Sequence, residues 1–206
     1  MRIDTLQLGV LSANCHIVDC GGNTCAAVDI GGDPERLLAF LQTHDLTLKA
    51  ILLTHGHYDH IGGVEEVRAA TGAQVYIHEA DAPMLTDAFL NLAAQITSAP
   101  FRSIRECRTI TDGETITVGS RVFTVMHTPG HTSGSVCYLT DHVMLSGDTL
   151  FHGSIGRTDL GGNVQEMRAS LRRLCELSGE FDVYSGHGLA TTLDTERRIN
   201  PYMRSL

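Results

Sequence analysis

Between Thr54 and Gly63 the chain places His55, His57, Asp59 and His60 within six residues and flanks them with Gly56, Gly62 and Gly63. So dense a set of polar groups limits the fold, because each buried member must be hydrogen-bonded, paired or ligated. Imidazole with carboxylate is a donor set for zinc or iron rather than for calcium or magnesium. The apolar run Leu48 to Leu53 just before it reads as a buried strand, and residues 63–71 just after it read as a helix. The cluster thus lies on a loop at the carboxyl end of a strand, where open α/β sheets bind their ligands. In extended chain, residues two apart share a side, so His55 and His57 converge on one ion. Asp59 and His60 come after the chain has begun to turn and face a second. A lone histidine pair is weak evidence; four potential ligands in six residues mark a metal site.

Periodicity and breakers outline the rest. Residues 2–8, 14–20 and 24–30 read as consecutive strands, with a hairpin turn at Gly21 to Thr24. A helix runs from Pro34 to about His44, with Asp33 as its N-cap and Pro34 in its first turn. Strand 48–53, the metal loop and helix 63–71 precede a short strand at 74–77 and a mixed helical and loop segment at 79–97. The second half repeats this order, with strands near 107–110, 115–118, 121–127, 134–140 and 142–146. A helix at 164–177, a strand at 182–185 and a short helix at 193–204 complete it. Two strand-rich blocks, each closing with helices, imply two sheets packed together with helices outside, in one domain spanning residues 1–206.

Three further ligand types follow predicted strands in the second half: His131 in Thr128 to Thr132, Asp148 in Ser146 to Phe151, and His187 in Ser185 to Gly188. Each has a glycine beside it. Singly each is a structural residue; together with the first cluster they extend the metal site. His16, His44, His78, His127, His142 and His152 lack that setting and read as surface or packing residues.

A net charge of −9 without a basic run argues against nucleic acid or an anionic membrane as partner. No window approaches the roughly 18 uninterrupted apolar residues of a membrane span. The first eight residues alternate like a strand and carry no signal-peptide core, so a cytoplasmic location is expected. None of the six cysteines forms a C-x-x-C pair, and Cys20 and Cys25, which flank the hairpin turn, are read as buried thiols rather than a disulfide.

The order His55, His57, Asp59, His60, His131, Asp148, His187 resembles the metallo-β-lactamase fold superfamily. Asp29, in Val28 to Gly32, matches the early aspartate that supports the metal loop in that family. Asp148 to Phe151 with Gly153 to Leu160 is similar to glyoxalase II-type hydroxyacylglutathione hydrolases, especially their short bacterial relatives. The resemblance implies an αββα sandwich: two mixed sheets face to face, helices on the outer faces, metals at one edge. It assigns His55, His57 and His131 to a first divalent ion, Asp59, His60 and His187 to a second, and Asp148 to both. Zinc is the first expectation, and the same ligands accept iron or manganese. Paired ions share one hydroxide that attacks an acyl carbonyl, with Asp59 and His60 serving metal and catalysis together. The substrate implied is a small acyl thioester, whose thiolate leaves with little acid assistance. Arg157 is a candidate for substrate contact and equally for pinning the Gly153–Gly162 loop.

The chain also departs from the pattern. No proline follows Leu160, and only 19 residues follow His187. That leaves no room here for the helical C-terminal domain with which full-length glyoxalase II enzymes grip glutathione, so glutathione specificity does not transfer. The alternative enzyme on this scaffold is a persulfide dioxygenase with a single iron. A β-lactamase is disfavoured because the best-known zinc enzymes of this fold carry cysteine where Asp148 stands. Diiron electron-transfer relatives have glutamate in place of His57. A non-catalytic metal-binding protein would not need two adjacent filled sites.

Overall fold

The computed structural model describes residues 1–206. Strands β1 (Ile3–Leu8), β2 (Ala13–Asp19), β3 (Thr24–Val28), β4 (Thr47–Leu52), β5 (Gln74–His78) and β6 (Arg108–Ile110) lie side by side in that order. The first three are antiparallel, and β3 to β6 are parallel. Strands β7 (Thr115–Val118), β8 (Arg121–His127), β9 (Val136–Thr140), β10 (Val143–Gly147), β11 (Asp182–Ser185) and β12 (Thr191–Thr192) form the second sheet, with β10 and β11 its parallel pair. The helices are α1 (Pro34–Thr43), α2 (Tyr58–Ile61), α3 (Val64–Thr71), α4 (Ala93–Ile96), α5 (Val164–Glu176), α6 (Leu193–Ile199) and α7 (Pro201–Arg204).

Strand alternation explains the layering, because successive side chains point to opposite faces. Val18, Ala26, Val28 and Leu52 point inward and meet Phe123, Val125, Tyr138 and Leu145 of the second sheet. Their neighbours Ile17, Ala27 and Ile51 point outward and are covered by Leu37 and Leu41 of α1 and by Val64 and Val67 of α3. Met126, Met144 and Val183 point out of the second sheet onto Met167, Leu171 and Leu174 of α5, Leu193 and Met203. Central strands covered on both faces are largely apolar, which is why Ala50 to Leu52 of β4 and Val143 to Leu145 of β10 read as continuous runs rather than alternating ones. The result is the αββα sandwich.

Several local expectations are corrected. Asp33 precedes α1, but its φ of 44° turns the side chain away from the helix, and its carboxylate accepts the Gly9 N–H instead of capping. Strand β3 stops at Val28 because Asp29 takes a left-handed φ of 56°. The 79–97 segment resolves into a 3-10 helix at Glu79–Leu85 and the single turn α4. The terminal helix is two, since Pro201 cannot continue the hydrogen-bond ladder of α6. The cysteines are free, as read.

Candidate metal centre

The loops that follow β4, β8, β10 and β11 open on one edge of the sandwich. They bring His55, His57, His131, Asp148 and His187 together, while Asp59 and His60 come in on α2. Ligand atoms of His55, His57 and His131 lie within 4.8 Å of one another, and so do those of Asp59, His60 and His187. Asp148 stands between the sets: Oδ1 is 3.4 Å from His60 Nε2, and Oδ2 is 3.6 Å from His131 Nε2 and 3.8 Å from His187 Nε2.

Hydrogen bonds behind the rings decide which nitrogen is free, since in a neutral imidazole one nitrogen donates and the other carries a lone pair. His131 Nδ1 donates to the Arg157 carbonyl at 2.7 Å, and His60 Nδ1 donates to Asp29 Oδ2 at 2.9 Å. Thr54 Oγ1 gives its proton to Asp29 Oδ2 at 2.7 Å, so His55 Nδ1, 3.1 Å away, must be a donor to that hydroxyl. The Nε2 atoms of His55, His60 and His131 therefore all face the interior of the cluster. His57 Nδ1 meets His131 Nε2 at 2.9 Å, and His60 Nε2 meets His187 Nε2 at 3.3 Å. Buried His55 Nε2 and Asp148 Oδ1 have no hydrogen-bond partner at all. Orphaned buried acceptors beside converging imidazole nitrogens are what a bound cation relieves, so the residues present fit a pair of metal ions.

Electrostatics agree. Burial, and then the neighbouring imidazoles, hold His55 far below its ordinary range, and His57 falls to about 3. Both are neutral, as ligands must be. His60 differs: burial opposes a charge on it, yet Asp148, Asp29 and Asp59 outweigh burial and raise its pKa to about 10, so these carboxylates favour a positive charge at Nε2, a place that a bound cation would take from the proton. Burial likewise opposes the Asp59 carboxylate, but His60 and His187 hold it below the usual carboxylate range.

Glycine keeps the space open. A Cβ at Gly186 would come within 2.6 Å of His60 Cε1 and closer still to Asp148 Oδ1. The cavity over the cluster measures about 290 Å³, and Leu11, Leu92, Ile96, Phe151 and Leu160 form its apolar walls. Arg157 lines it too, but its guanidinium is forked onto Asp159 at 2.9 and 2.8 Å. That supports the loop-pinning role, and the Arg157 backbone adds another by orienting His131.

Sequence reasoning missed Asp81. Wholly buried in the 3-10 helix, its Oδ2 accepts from Gly56 N–H at 3.0 Å and from Thr132 Oγ1 at 2.7 Å, while Oδ1 accepts from Gly134 N–H at 2.7 Å. It ties the loop carrying His55 and His57 to the loop carrying His131. No local motif announces it.

Residues 8–187 match the model of the metallo-beta-lactamase superfamily. The chain belongs to this superfamily. It is 38% identical to the BLEG-1 B3 metallo-beta-lactamase, with a TM-score of 0.92 over 98% of this chain and 99% of that one. It is 39% identical to TTHA1623 in a di-iron-bound form, with a TM-score of 0.87 over 97% and 99% of the two chains. The hydroxyacylglutathione hydrolase GloC of Haemophilus influenzae is 30% identical over 210 residues, covering 100% of this chain and 99% of that protein. Site and likeness together make this chain a metal-dependent hydrolase or oxidase of the superfamily. No helix is long and apolar enough to cross a membrane.

Proposed function

We propose that this centre hydrolyses acyl thioesters of the hydroxyacylglutathione type. The observation that carries the reading is the convergence of seven ligand-type side chains, in two sets joined by Asp148, beneath one small apolar-walled cavity. Full-length similarity to a hydroxyacylglutathione hydrolase supports the substrate class. His55, His57 and His131 would hold one ion, Asp59, His60 and His187 the other, and Asp148 both. Zinc is the first candidate, and the likeness to a di-iron structure supports iron as the second. Ions held there would lower the pKa of water towards about 7 and would polarise an acyl carbonyl.

The chain supplies the rest. Asp29 and the Arg157 carbonyl hold the Nδ1 protons of His60 and His131, so Nε2 of each ring faces the reacting centre and would ligate there. Phe151, Ile96 and Leu92 surround the acyl group and limit water around it. No acid near the leaving sulfur is required, because a thiolate departs unaided. The cysteines do not compete as nucleophiles: burial pushes Cys20 and Cys137 up to about 11 and Cys25 up to about 12, so they stay protonated. Six unpaired thiols also favour a reducing, cytoplasmic setting.

The test is one substrate panel on zinc-loaded and iron-loaded protein: lactoylglutathione, a smaller-thiol lactoyl thioester, glutathione persulfide and a β-lactam. Release of thiol without oxygen uptake is the expected result. Oxygen consumption with the persulfide by the iron form alone, or cleavage of the β-lactam alone, would refute the reading.

A further inference from the structure

Beside the metal cavity lies a second hollow of about 480 Å³, enclosed by the 154–158 loop and helices α5 and α7. Ile155 and Arg157 line both, so only the 154–158 loop separates the two hollows, and a substrate extending out of the first would lie over that loop to reach the second. Buried Met167 and Leu171 give the hollow an apolar floor, and Val164 and Tyr202 stand exposed at its rim. Its charge comes from guanidinium groups. Arg157 is neutralised by the Asp159 fork. Arg168 is exposed, and its one hydrogen bond within the protein is to the Ser205 carbonyl at 3.0 Å, so no carboxylate of this chain occupies its guanidinium. In a chain of net charge −9, a guanidinium without a carboxylate partner beside an apolar floor selects an anion carried on an apolar stem.

We propose that this hollow receives the thiol half of the substrate, its stem lying on Ile155 and Met167 and its terminal anionic group meeting Arg168. The inference rests on the thioester reading and deepens it. The smaller metal cavity takes the acyl group, and α5 with α7 supplies the remote grip that the family resemblance assigns to a separate helical domain. A carboxylate and a phosphate fit the guanidinium fork alike, so the class is a thiol that ends in either. Contacts so far from the reacting carbonyl act on ground state and transition state equally, and therefore appear in KM rather than kcat.

Three thioesters with one acyl group distinguish the possibilities: those of glutathione (carboxylates), coenzyme A (phosphates) and N-acetylcysteamine (short and uncharged). One or both anionic thioesters should show the lower KM in the metal-loaded wild type, and which of them does so names the anion. Arg168→Gln should raise KM for that anionic thioester about fivefold more than for N-acetylcysteamine, at similar kcat, and Arg168→Lys should restore most of it. Calorimetric titration of the matching S-propyl thioethers, which cannot be hydrolysed, reads binding without turnover. If Arg168→Gln fails to fold, Val164→Glu, which sets a like charge at the rim, must weaken the same ligands. Equal KM and Kd across the panel, or an Arg168→Gln shift common to all three, would overturn the proposal. Arg168-dependent thioether binding without cleavage of any thioester would instead sink the hydrolase reading and leave the hollow's ligand class standing.

Discussion

Asp81→Asn is the sharpest test of how the metal loops are held. The carboxylate accepts two hydrogen bonds on Oδ2 and one on Oδ1, all from buried donors. An amide offers one acceptor oxygen and one donor nitrogen, so one side must face donors with a donor. Seated with its oxygen towards Gly56 and Thr132, it keeps two bonds and orphans the Gly134 N–H, at a cost of about 1–3 kcal/mol. The two surviving bonds lose their charge assistance, which weakens each by about half. Burying an amide rather than an ion returns part of that loss. The net expectation is a destabilisation of about 2–4 kcal/mol, within the roughly 5–15 kcal/mol that holds a domain together, so the variant still folds. Urea unfolding of metal-free protein, followed by circular dichroism, measures it. Metal analysis should then show selective weakening of the His55, His57 and His131 set, because Gly56 lies between two of these ligands and Thr132 follows the third. Gly134→Ala should act similarly, since its Cβ would lie 2.6 Å from the Asp81 carboxyl carbon. Stability within about 0.5 kcal/mol of wild type, with both ions retained, would refute the argument.

Asp29→Ala would remove the acceptor that holds the ring proton on His60 Nδ1, so affinity for the second ion should fall about 10–100-fold, as read by chelator competition. Asp148→Ala should lose occupancy at both sites in elemental analysis, because its carboxylate faces both sets; retention of two ions and full activity would end the bridging role. His16 is buried between Thr5 Oγ1 and the Ser185 carbonyl, and burial lowers its pKa below the ordinary 6.5. Below that pH the unfolded chain takes up a proton that the folded chain refuses, so stability present above 6.5 is lost as the pH falls through it. Urea midpoints taken on either side should therefore drop more steeply for wild type than for His16→Gln; parallel slopes would contradict this.

The candidate ligand cluster was legible because its geometry is local. Two-residue spacing on extended chain and the recurrence of a ligand type after each strand need no knowledge of tertiary structure. Sheet layering was legible for the same reason, since alternation in Ile17 and Val18 or in Val125 and Met126 already separates the two faces. What escaped depends on distant partners. Helix α2, four residues long, carries no period, and its first N–H is held by the Asn91 carbonyl, far along the chain. Asp33 has the composition of an N-cap, but a contact with Gly9 decides its rotamer. Asp81 serves residues 25 positions before it and 51 and 53 positions after it. Arg157 drew attention for its guanidinium, whereas its carbonyl, a group every residue has, orients His131. The ligand atoms are thus specified by residue type, but the protons on those ligands are specified by acceptors that residue type does not reveal. Substituting Arg157 tests only its side chain; the carbonyl on which His131 depends is reached only by moving the backbone, as at Gly156, where an added Cβ would lie 3.1 Å from His131 Nδ1 and closer still to the Asp148 carbonyl.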